Sequence, residues 1–336
     1  MHTEVTTGEL LVEGIRRLMG YCETPQLDAE LLLAHVLGIG RARLRSHPEV
    51  GQSTEHADTY RSLIDRRVLG EPLAYIVGHK DFWTLTLAVS PAVLVPRPET
   101  ELIVERALQL LADRAASSAA ADGPAGAHAP KRGVGSVRNS AGDAGSDRPR
   151  AASGATRSGP TGSPSVHIAD LGTGSGAIAL ALASERPSWQ VTATDVSPEA
   201  LAIAGANASS LQLNNVRFFE GRWLLPLVGM RFDLIASNPP YIQANDAALS
   251  APALRYEPQI ALTPGLDALA DLREIIRRAP DHLEPGGWLL LEHGNDQAAA
   301  VAHELVARGF THVRCHPDLA GHDRMTEAQW AAQWVE

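Results

Sequence analysis

The chain has 336 residues, of which 44% are hydrophobic and 20% are charged, and its formal net charge is -10 at pH 7. No apolar run approaches the roughly 20 residues of a membrane span, and the N-terminus lacks the segments of a secretory signal, so we expect a cytoplasmic protein that contacts no membrane. The acidic balance disfavours direct binding to nucleic acid, because that affinity comes mainly from Lys and Arg at phosphates. The two cysteines, Cys22 and Cys315, predict neither a disulfide framework nor a metal site.

The part of the chain before residue 71 has apolar side chains at helical spacing. Three segments carry this pattern: Thr7 to Met19, Leu27 to Leu37 and Thr54 to Leu69. We interpret residues 1–70 as a small helical domain. Residues 71–113 are predicted to form a β-hairpin that turns at Gly78 to Asp81, followed by a helix with Pro98 near its first turn.

Residues 114–165 are rich in Ala, Gly, Ser, Pro and Arg and contain almost no large apolar side chains. Such a composition cannot bury enough apolar surface to offset the entropy of ordering the chain. We therefore predict a disordered, low-complexity insertion between two folded parts.

Residues 166–336 alternate between short apolar runs and helical stretches. The predicted strands are 166–171, 190–195, 216–220, 232–238 and 288–293. Strands that alternate with helices predict an α/β fold, a mostly parallel sheet with helices on both faces. Ligands of such sheets bind at the carboxyl ends of the strands, near the point where the strand order reverses.

A glycine-rich loop follows the first of these strands and leads directly into a helix. Its residues are candidates for cofactor binding: Gly172, Thr173, Gly174, Ser175 and Gly176. Glycines allow the backbone to approach a ligand, and the helix N-terminus offers free N–H groups. Asp195 ends the next strand, and we expect it to hold ribose hydroxyls, because Ser197 is the more natural cap of the following helix. The loop also satisfies the dinucleotide fingerprint, so NAD and S-adenosylmethionine both stay open here.

The fourth strand runs into the tetrapeptide Asn238-Pro239-Pro240-Tyr241, the predicted substrate site. Two prolines stop the strand and stiffen the backbone. The Asn238 side-chain carbonyl and the Pro239 backbone carbonyl then become two fixed acceptors, with the Tyr241 ring as a flat surface beside them. We predict catalytic roles for Asn238, Pro239 and Tyr241, substrate contacts for all four residues, and a cofactor contact for Asn238.

Two fixed acceptors match an NH2 group. An amide or aromatic amine nitrogen is a poor nucleophile, because its lone pair is delocalised, and two acceptors would favour a pyramidal nitrogen and stabilise its developing positive charge. A sulfonium is already an excellent leaving group, so neither a nucleophilic side chain nor a strong general base is needed. We expect no metal in the site. The tetrapeptide therefore favours an S-adenosylmethionine-dependent methyltransferase over an NAD-dependent oxidoreductase. A non-catalytic cofactor-binding protein stays open as an alternative, and it would bind the cofactor tightly without transferring the methyl group.

The tetrapeptide alone leaves an adenine-N6 DNA methyltransferase as the alternative, because an adenine amine presents the same two hydrogens. Such an enzyme must flip its base and grip phosphates. The acidic chain offers no clear base-reading module for that task.

Seven motifs, two of which contain the glycine loop and the tetrapeptide, resemble the HemK/PrmC family of release factor glutamine methyltransferases. They are RRVLGEPLAYIVG (66–78), VLVPRPETE (93–101), DLGTGSGAIALALA (170–183), SNPPYI (237–242), RYEP (255–258), LLLEHG (289–294) and DLAGHDR (318–324). The resemblance implies a Rossmann-like class I methyltransferase sheet with a small N-terminal helical domain joined by a β-hairpin. It also implies methyl transfer to the glutamine side-chain nitrogen (N5) of the Gly-Gly-Gln motif in class I peptide-chain release factors, which the N-terminal domain helps to hold.

The resemblance also implies roles for single residues. The glycine loop would bind the methionine part of the cofactor, Asp195 the ribose, and Trp223 would lie beside the adenine. Arg222 stands where the family more often has an acid. Arg97, Pro98 and Glu99 would shape the pocket wall or form a structural Arg–Glu pair. Glu292 and His293 could face the site, and we assign no chemistry to them.

Overall fold

The computed structural model describes residues 5–121 and 165–331. The helices are α1 (Thr7–Leu18), α2 (Pro25–Leu37), α3 (Arg41–Ser46), α4 (Thr54–Val68), α5 (Leu73–Val77), α6 (Glu101–Ala121), α7 (Ala177–Glu185), α8 (Pro198–Ser210), α9 (Gln259–Leu262), α10 (Ala270–His282) and α11 (Ala298–Arg308). The strands are β1 (His79–Phe82), β2 (Leu85–Ala88), β3 (His167–Leu171), β4 (Gln190–Asp195), β5 (Val216–Glu220), β6 (Phe232–Ser237), β7 (Leu283–Glu292), β8 (Phe310–Pro317) and β9 (Asp323–Trp330). Within the two described ranges, no helix is long and apolar enough to cross a membrane.

Seven strands form the main sheet, in the order β5-β4-β3-β6-β7-β9-β8, and β1 and β2 form a separate hairpin. β9 is antiparallel to both of its neighbours, whereas the other pairings in the sheet are parallel. The predicted fold class, a mostly parallel Rossmann-like α/β sheet, is confirmed. The hydropathy pattern does not predict β8 and β9, because β8 buries only Phe310 and β9 buries polar side chains such as Thr326 and Glu327.

Each face of the main sheet carries its own apolar core, because successive side chains of a strand point to opposite faces. Ile168 of β3 and Leu234 of β6 pack with α6 and α7 on one face. Their neighbours Ala169 and Ile235 pack with α10 and α11 on the other face. The helices on both faces hold the sheet rigid beneath the loops at its carboxyl edge.

Helices α1 to α5 share a third cluster of buried side chains. α1 begins with a capping box, in which Thr6 and Glu9 each accept a hydrogen bond from the other's backbone N–H. α1 and α4 approach closely at Gly14, where a Cβ would collide with the Tyr60 ring. The three helices predicted here lie within two residues of the observed bounds. α3 and α5 are too short to show a periodic pattern.

The hairpin is present, but the prediction of its turn at Gly78 to Asp81 is wrong. Phe82 pairs with Leu85, so the two-residue turn is formed by Trp83 and Thr84. Gly78 has a positive φ and ends α5 instead. Trp83 also has a positive φ, and its backbone N–H donates to Glu101 Oε1 at 2.8 Å. The turn depends on tertiary contacts rather than on a glycine.

The predicted start of the insertion at residue 114 is also wrong, because α6 continues to Ala121. Residues 115–121 include five alanines, the best helix formers, and extending an existing helix costs little once its first turns are packed. The rest of the predicted insertion, 122–164, lies outside the described residues.

The strand order reverses between β3 and β6, which places a ligand-binding edge at their carboxyl ends. Leu171 and Ser237 are paired in register at that edge. The Ser237 hydroxyl, fully buried, donates to the Leu171 carbonyl at 2.7 Å. The glycine loop and the Asn238–Tyr241 tetrapeptide therefore leave the sheet side by side.

Candidate active site

A cleft of about 1080 Å³, counting the part open to solvent, lies above the carboxyl end of β3. The glycine loop forms its floor. Gly172, Gly174 and Gly176 have φ values of +72°, +55° and +88°, which L side chains rarely adopt. The backbone N–H groups of Gly172 and Thr173 both donate to the Thr194 carbonyl, at 2.8 and 2.9 Å, so the loop is fastened to the adjacent strand β4.

Asp195 lines the cleft from the end of β4. Its Oδ2 accepts from the Gly174 backbone N–H and its Oδ1 from the Ser197 N–H, each at 2.9 Å. Ser197 caps α8 by accepting from the Ala200 N–H at 3.1 Å. The carboxylate is therefore held in place while each oxygen keeps a lone pair for a ligand hydroxyl.

Asp170 lies beneath the glycine loop and is 1% exposed. Burial raises the pKa of its carboxyl to about 7, although hydrogen bonds from the Thr173 hydroxyl and the Ala179 N–H act in the other direction. Asp170 thus fixes both the loop and the first turn of α7 from below. Sequence reasoning assigned it no role.

Trp223 forms one side of the cleft, packed against the glycine loop. A Cβ on Gly172 would lie 2.9 Å from its ring, so glycine is required for this contact. The ring is 9% exposed, and among the described residues nothing accepts from its indole N–H. Arg222 pairs with Asp271, whose carboxylate lines the cleft from α10. Sequence reasoning identified neither Asp271 nor this ion pair.

A second cavity of about 490 Å³, again counting the part open to solvent, adjoins the cleft, and all four residues of the tetrapeptide line it. Asn238 and Pro240 border the second cavity and the cleft alike. The predicted cofactor loop and the predicted substrate residues are thus brought to two neighbouring chambers. Asn238 lies at the boundary between them.

Arg97 also borders both chambers, and its partner differs from the predicted pairing within its own motif. Its guanidinium donates to Glu257 Oε1 at 2.6 Å, and Glu257 also accepts from the Val95 N–H at 3.4 Å. Glu257 is 4% exposed. This buried carboxylate joins two motifs that lie 160 residues apart in sequence.

Glu292 is buried behind the tetrapeptide. Its Oε2 accepts from the Thr100 hydroxyl at 2.7 Å and its Oε1 from the Tyr241 hydroxyl at 3.3 Å. Thr100 Oγ1 lies 3.1 Å from Asn238 Nδ2. Burial, and then the neighbouring Glu292 carboxyl, raise the pKa of Tyr241, so its hydroxyl stays protonated and can donate.

His293 is fully buried and lies between the Gly294 carbonyl and the Thr326 hydroxyl, at 2.9 and 2.8 Å. Burial lowers its pKa, which favours the neutral ring. Both ring nitrogens are engaged, so this geometry leaves His293 without a contact to either chamber.

The cleft fits an adenosine cofactor that carries an amino acid. A side chain at Gly174 would extend into open space, so the ligand can approach the bare backbone there. Asp195 offers acceptors for a diol, the Trp223 ring offers a flat apolar side, and the N-terminus of α7 offers N–H donors for a carboxylate. Across residues 5–121 and 165–331, no group of three His, Cys, Asp or Glu residues is arranged to bind a metal.

Comparison with known proteins gives the family. Residues 9–78 match the PrmC N-terminal domain, and residues 160–254 match the methyltransferase small domain. The release factor glutamine methyltransferase of Pseudomonas aeruginosa is 44% identical over 306 residues, which cover 91% of this chain and 93% of that protein. The enzyme of the same name from Xylella fastidiosa is 43% identical over 301 residues, which cover 90% and 92%. This chain belongs to the release factor glutamine methyltransferase family.

Membership of this family confirms the resemblance drawn from the seven motifs and makes the protein an enzyme with S-adenosylmethionine as its cofactor. The Vibrio cholerae relative, 41% identical over 93% of this chain and 92% of its own length, carries the same name. These relatives are named for glutamine, and none of the three supports the adenine alternative. The roles of single residues follow from the geometry above and are proposals.

Proposed function

We propose that this enzyme transfers a methyl group from S-adenosylmethionine to the side-chain amide nitrogen (N5) of the glutamine in the Gly-Gly-Gln motif of class I peptide-chain release factors. The observation that carries this proposal is the position of Asn238, at the boundary between the cleft and the second cavity. The glutamine would enter the second cavity, and the cofactor would occupy the cleft.

The cofactor, when bound, supplies a methyl group on a positively charged sulfur. Gly172 to Gly176 would hold its methionine part, Asp195 its ribose and the Trp223 ring its adenine. Each assignment follows from a lining position in the cleft and from the donor or acceptor available there.

The tetrapeptide would prepare the glutamine nitrogen. Asn238 Oδ1 and the Pro239 carbonyl would accept its two N–H hydrogens, and the Tyr241 ring would support the amide plane. Two acceptors weaken the overlap of the nitrogen lone pair with the carbonyl and direct it toward the cleft. They also stabilise the positive charge on the nitrogen until it releases one proton.

A release-factor substrate also bears on location and partners. Release factors act with the ribosome in the cytoplasm, and we propose that the enzyme acts there as well. The protein partner is a class I release factor, and the absence of direct nucleic-acid contacts stays a prediction from the net charge.

Mass spectrometry tests the function. A class I release factor is incubated with the enzyme and S-adenosylmethionine, and the Gly-Gly-Gln peptide is then sequenced. We expect one added methyl group on the glutamine. An unmodified glutamine, with methylated adenine in DNA added to the same reaction, would reverse the assignment.

A further inference from the structure

A continuous chain of hydrogen bonds runs from the substrate cavity to a buried carboxylate. Asn238 Nδ2 lies 3.1 Å from Thr100 Oγ1, and Thr100 Oγ1 lies 2.7 Å from Glu292 Oε2. Thr100 is 5% exposed and Glu292 is 1% exposed. The three residues come from three distant segments of the chain, so only the fold brings them together.

The chemistry of the three groups determines the direction of each bond. An ionised carboxylate has no hydrogen, so it can only accept, and Thr100 must give it its single hydroxyl hydrogen. The Thr100 oxygen is then an acceptor toward Asn238. An amide oxygen at that position would face a lone pair, so the amide turns its NH2 group to Thr100.

The other end of the amide then faces the substrate. Among the described residues nothing donates to Asn238 Oδ1, whose residue borders both chambers. We propose that Glu292 is a positioning residue: through Thr100 it locks the Asn238 amide with Oδ1 directed at the substrate nitrogen. This inference rests on the proposed function and adds two residues to its machinery.

Tyr241 is attached to the same carboxylate. Its hydroxyl donates to Glu292 Oε1 at 3.3 Å, so the first and last residues of the tetrapeptide share one buried anchor. The two prolines between them restrict the backbone. Backbone and side chains are thereby fixed by independent means, as the alignment of a weak nucleophile requires.

The lock depends on the charge of Glu292. Burial raises the pKa of its carboxyl to about 7. Thr100, Arg324 and Tyr241 act to lower this pKa, and the charge of Glu99 acts to raise it. A protonated Glu292 would donate to Thr100 and free the threonine hydrogen for Asn238 Oδ1. The amide would then turn over and present NH2 to the substrate NH2. Methyl transfer should therefore slow as the pH falls below about 7.

Variants of Thr100 test the lock in the full-length enzyme with S-adenosylmethionine and release factor. Thr100→Val removes the hydroxyl. Because Thr100 also lines the cofactor cleft, the rate is measured at saturating cofactor, where we expect single-turnover methyl transfer to fall about tenfold or more. Thr100→Ser keeps the hydroxyl and should restore most of the rate. Thr192→Val is the matched control: Thr192 lies in β4, is 5% exposed, and its side chain makes no hydrogen bond within the described residues.

The pH profile tests the role of Glu292, because Glu292→Gln cannot ionise. We expect the acid limb of the single-turnover rate, measured at saturating cofactor, to disappear in Glu292→Gln. Three outcomes would overturn the inference: a wild-type rate in Thr100→Val, a folded Thr100→Ser as slow as Thr100→Val, or an unchanged acid limb in Glu292→Gln. A wild-type enzyme that leaves the glutamine unmodified would instead refute the proposed function itself.

Discussion

The two halves of the active site are held in different ways. The cofactor half, Gly172 to Gly176, is fastened largely by backbone N–H groups that donate to the Thr194 carbonyl and to Asp195. The substrate half, Asn238 to Tyr241, is fastened by side chains that converge on Glu292. A loop held by its backbone requires mainly glycines, and the same loop can bind several cofactors. A network of side chains is more specific, because it fixes one chemical group in one orientation. This difference explains why the loop pattern alone left NAD and S-adenosylmethionine open.

The largest effect is expected at the boundary of the two chambers. Asn238→Ala removes one of the two acceptors, and we expect the single-turnover rate to fall by about a hundredfold or more, as for the loss of one preorganised group in other active sites. Cofactor affinity, measured by isothermal titration calorimetry, should stay close to wild type. A comparable loss of cofactor affinity would show that Asn238 belongs to the cofactor half.

The opposite result is expected in the cofactor half. Asp195→Ala removes two ligand acceptors and the partner of the Gly174 N–H, so the dissociation constant for S-adenosylmethionine should rise about tenfold to a hundredfold. The rate at saturating cofactor should change little. If Asp195→Ala instead slows transfer at saturation and leaves affinity intact, the division into two halves fails.

A stability measurement separates function from folding at Glu292. The folded pKa of about 7 lies above the ordinary value of 4.5, so the carboxyl's contribution to stability is fully present below about 4.5 and is lost as the pH rises through about 7. Glu292→Gln has no such loss. Relative to wild type, its free energy of unfolding from urea titration should therefore improve between pH 5 and pH 8, by about 1–3 kcal/mol.

In Glu292→Gln, we expect this relative gain in stability together with the loss of the acid limb in the pH profile of methyl transfer. A carboxyl whose ionised form stabilised the fold would give the reverse trend, a Glu292→Gln variant that loses stability relative to wild type between pH 5 and pH 8. Comparison with wild type at each pH cancels the contribution of Asp170, whose pKa is raised in the same direction.

The smallest effect is expected outside both halves. We expect that replacing residues 122–164 by a short Gly-Ser linker leaves the rate and the cofactor affinity unchanged, because this composition offers little apolar surface for packing. The release-factor methylation assay on the shortened enzyme checks this. A loss of activity, with the thermal unfolding midpoint retained, would assign the segment a direct role.

Local patterns predicted the strands that carry the site, since β4 and β5 match their predicted bounds and β6 ends one residue early. The tetrapeptide and the glycine loop could also be recognised from the sequence, because the functional groups of each lie within a few consecutive residues. The hairpin turn at Trp83 could not be predicted from the sequence. Contacts of Trp83 with Glu101 and Glu185 stabilise this turn, and it contains no typical turn-forming residues.

The sequence analysis also did not predict which side chains far apart in sequence form pairs. Thr100 and Glu292 are 192 residues apart, and Arg97 and Glu257 are 160 apart. No periodicity or spacing connects such pairs, and the family resemblance placed their motifs without saying which side chains meet. The structure adds the pairing and, through the donor and acceptor count of each group, the direction of every bond.

The bond from Ser237 to the Leu171 carbonyl has a wider consequence. It joins the last paired residues of two neighbouring parallel strands, β3 and β6. Neighbouring strands lie about 4.8 Å apart in all sheets. The distance between the points where the glycine loop and the tetrapeptide leave the sheet is therefore set by the sheet itself.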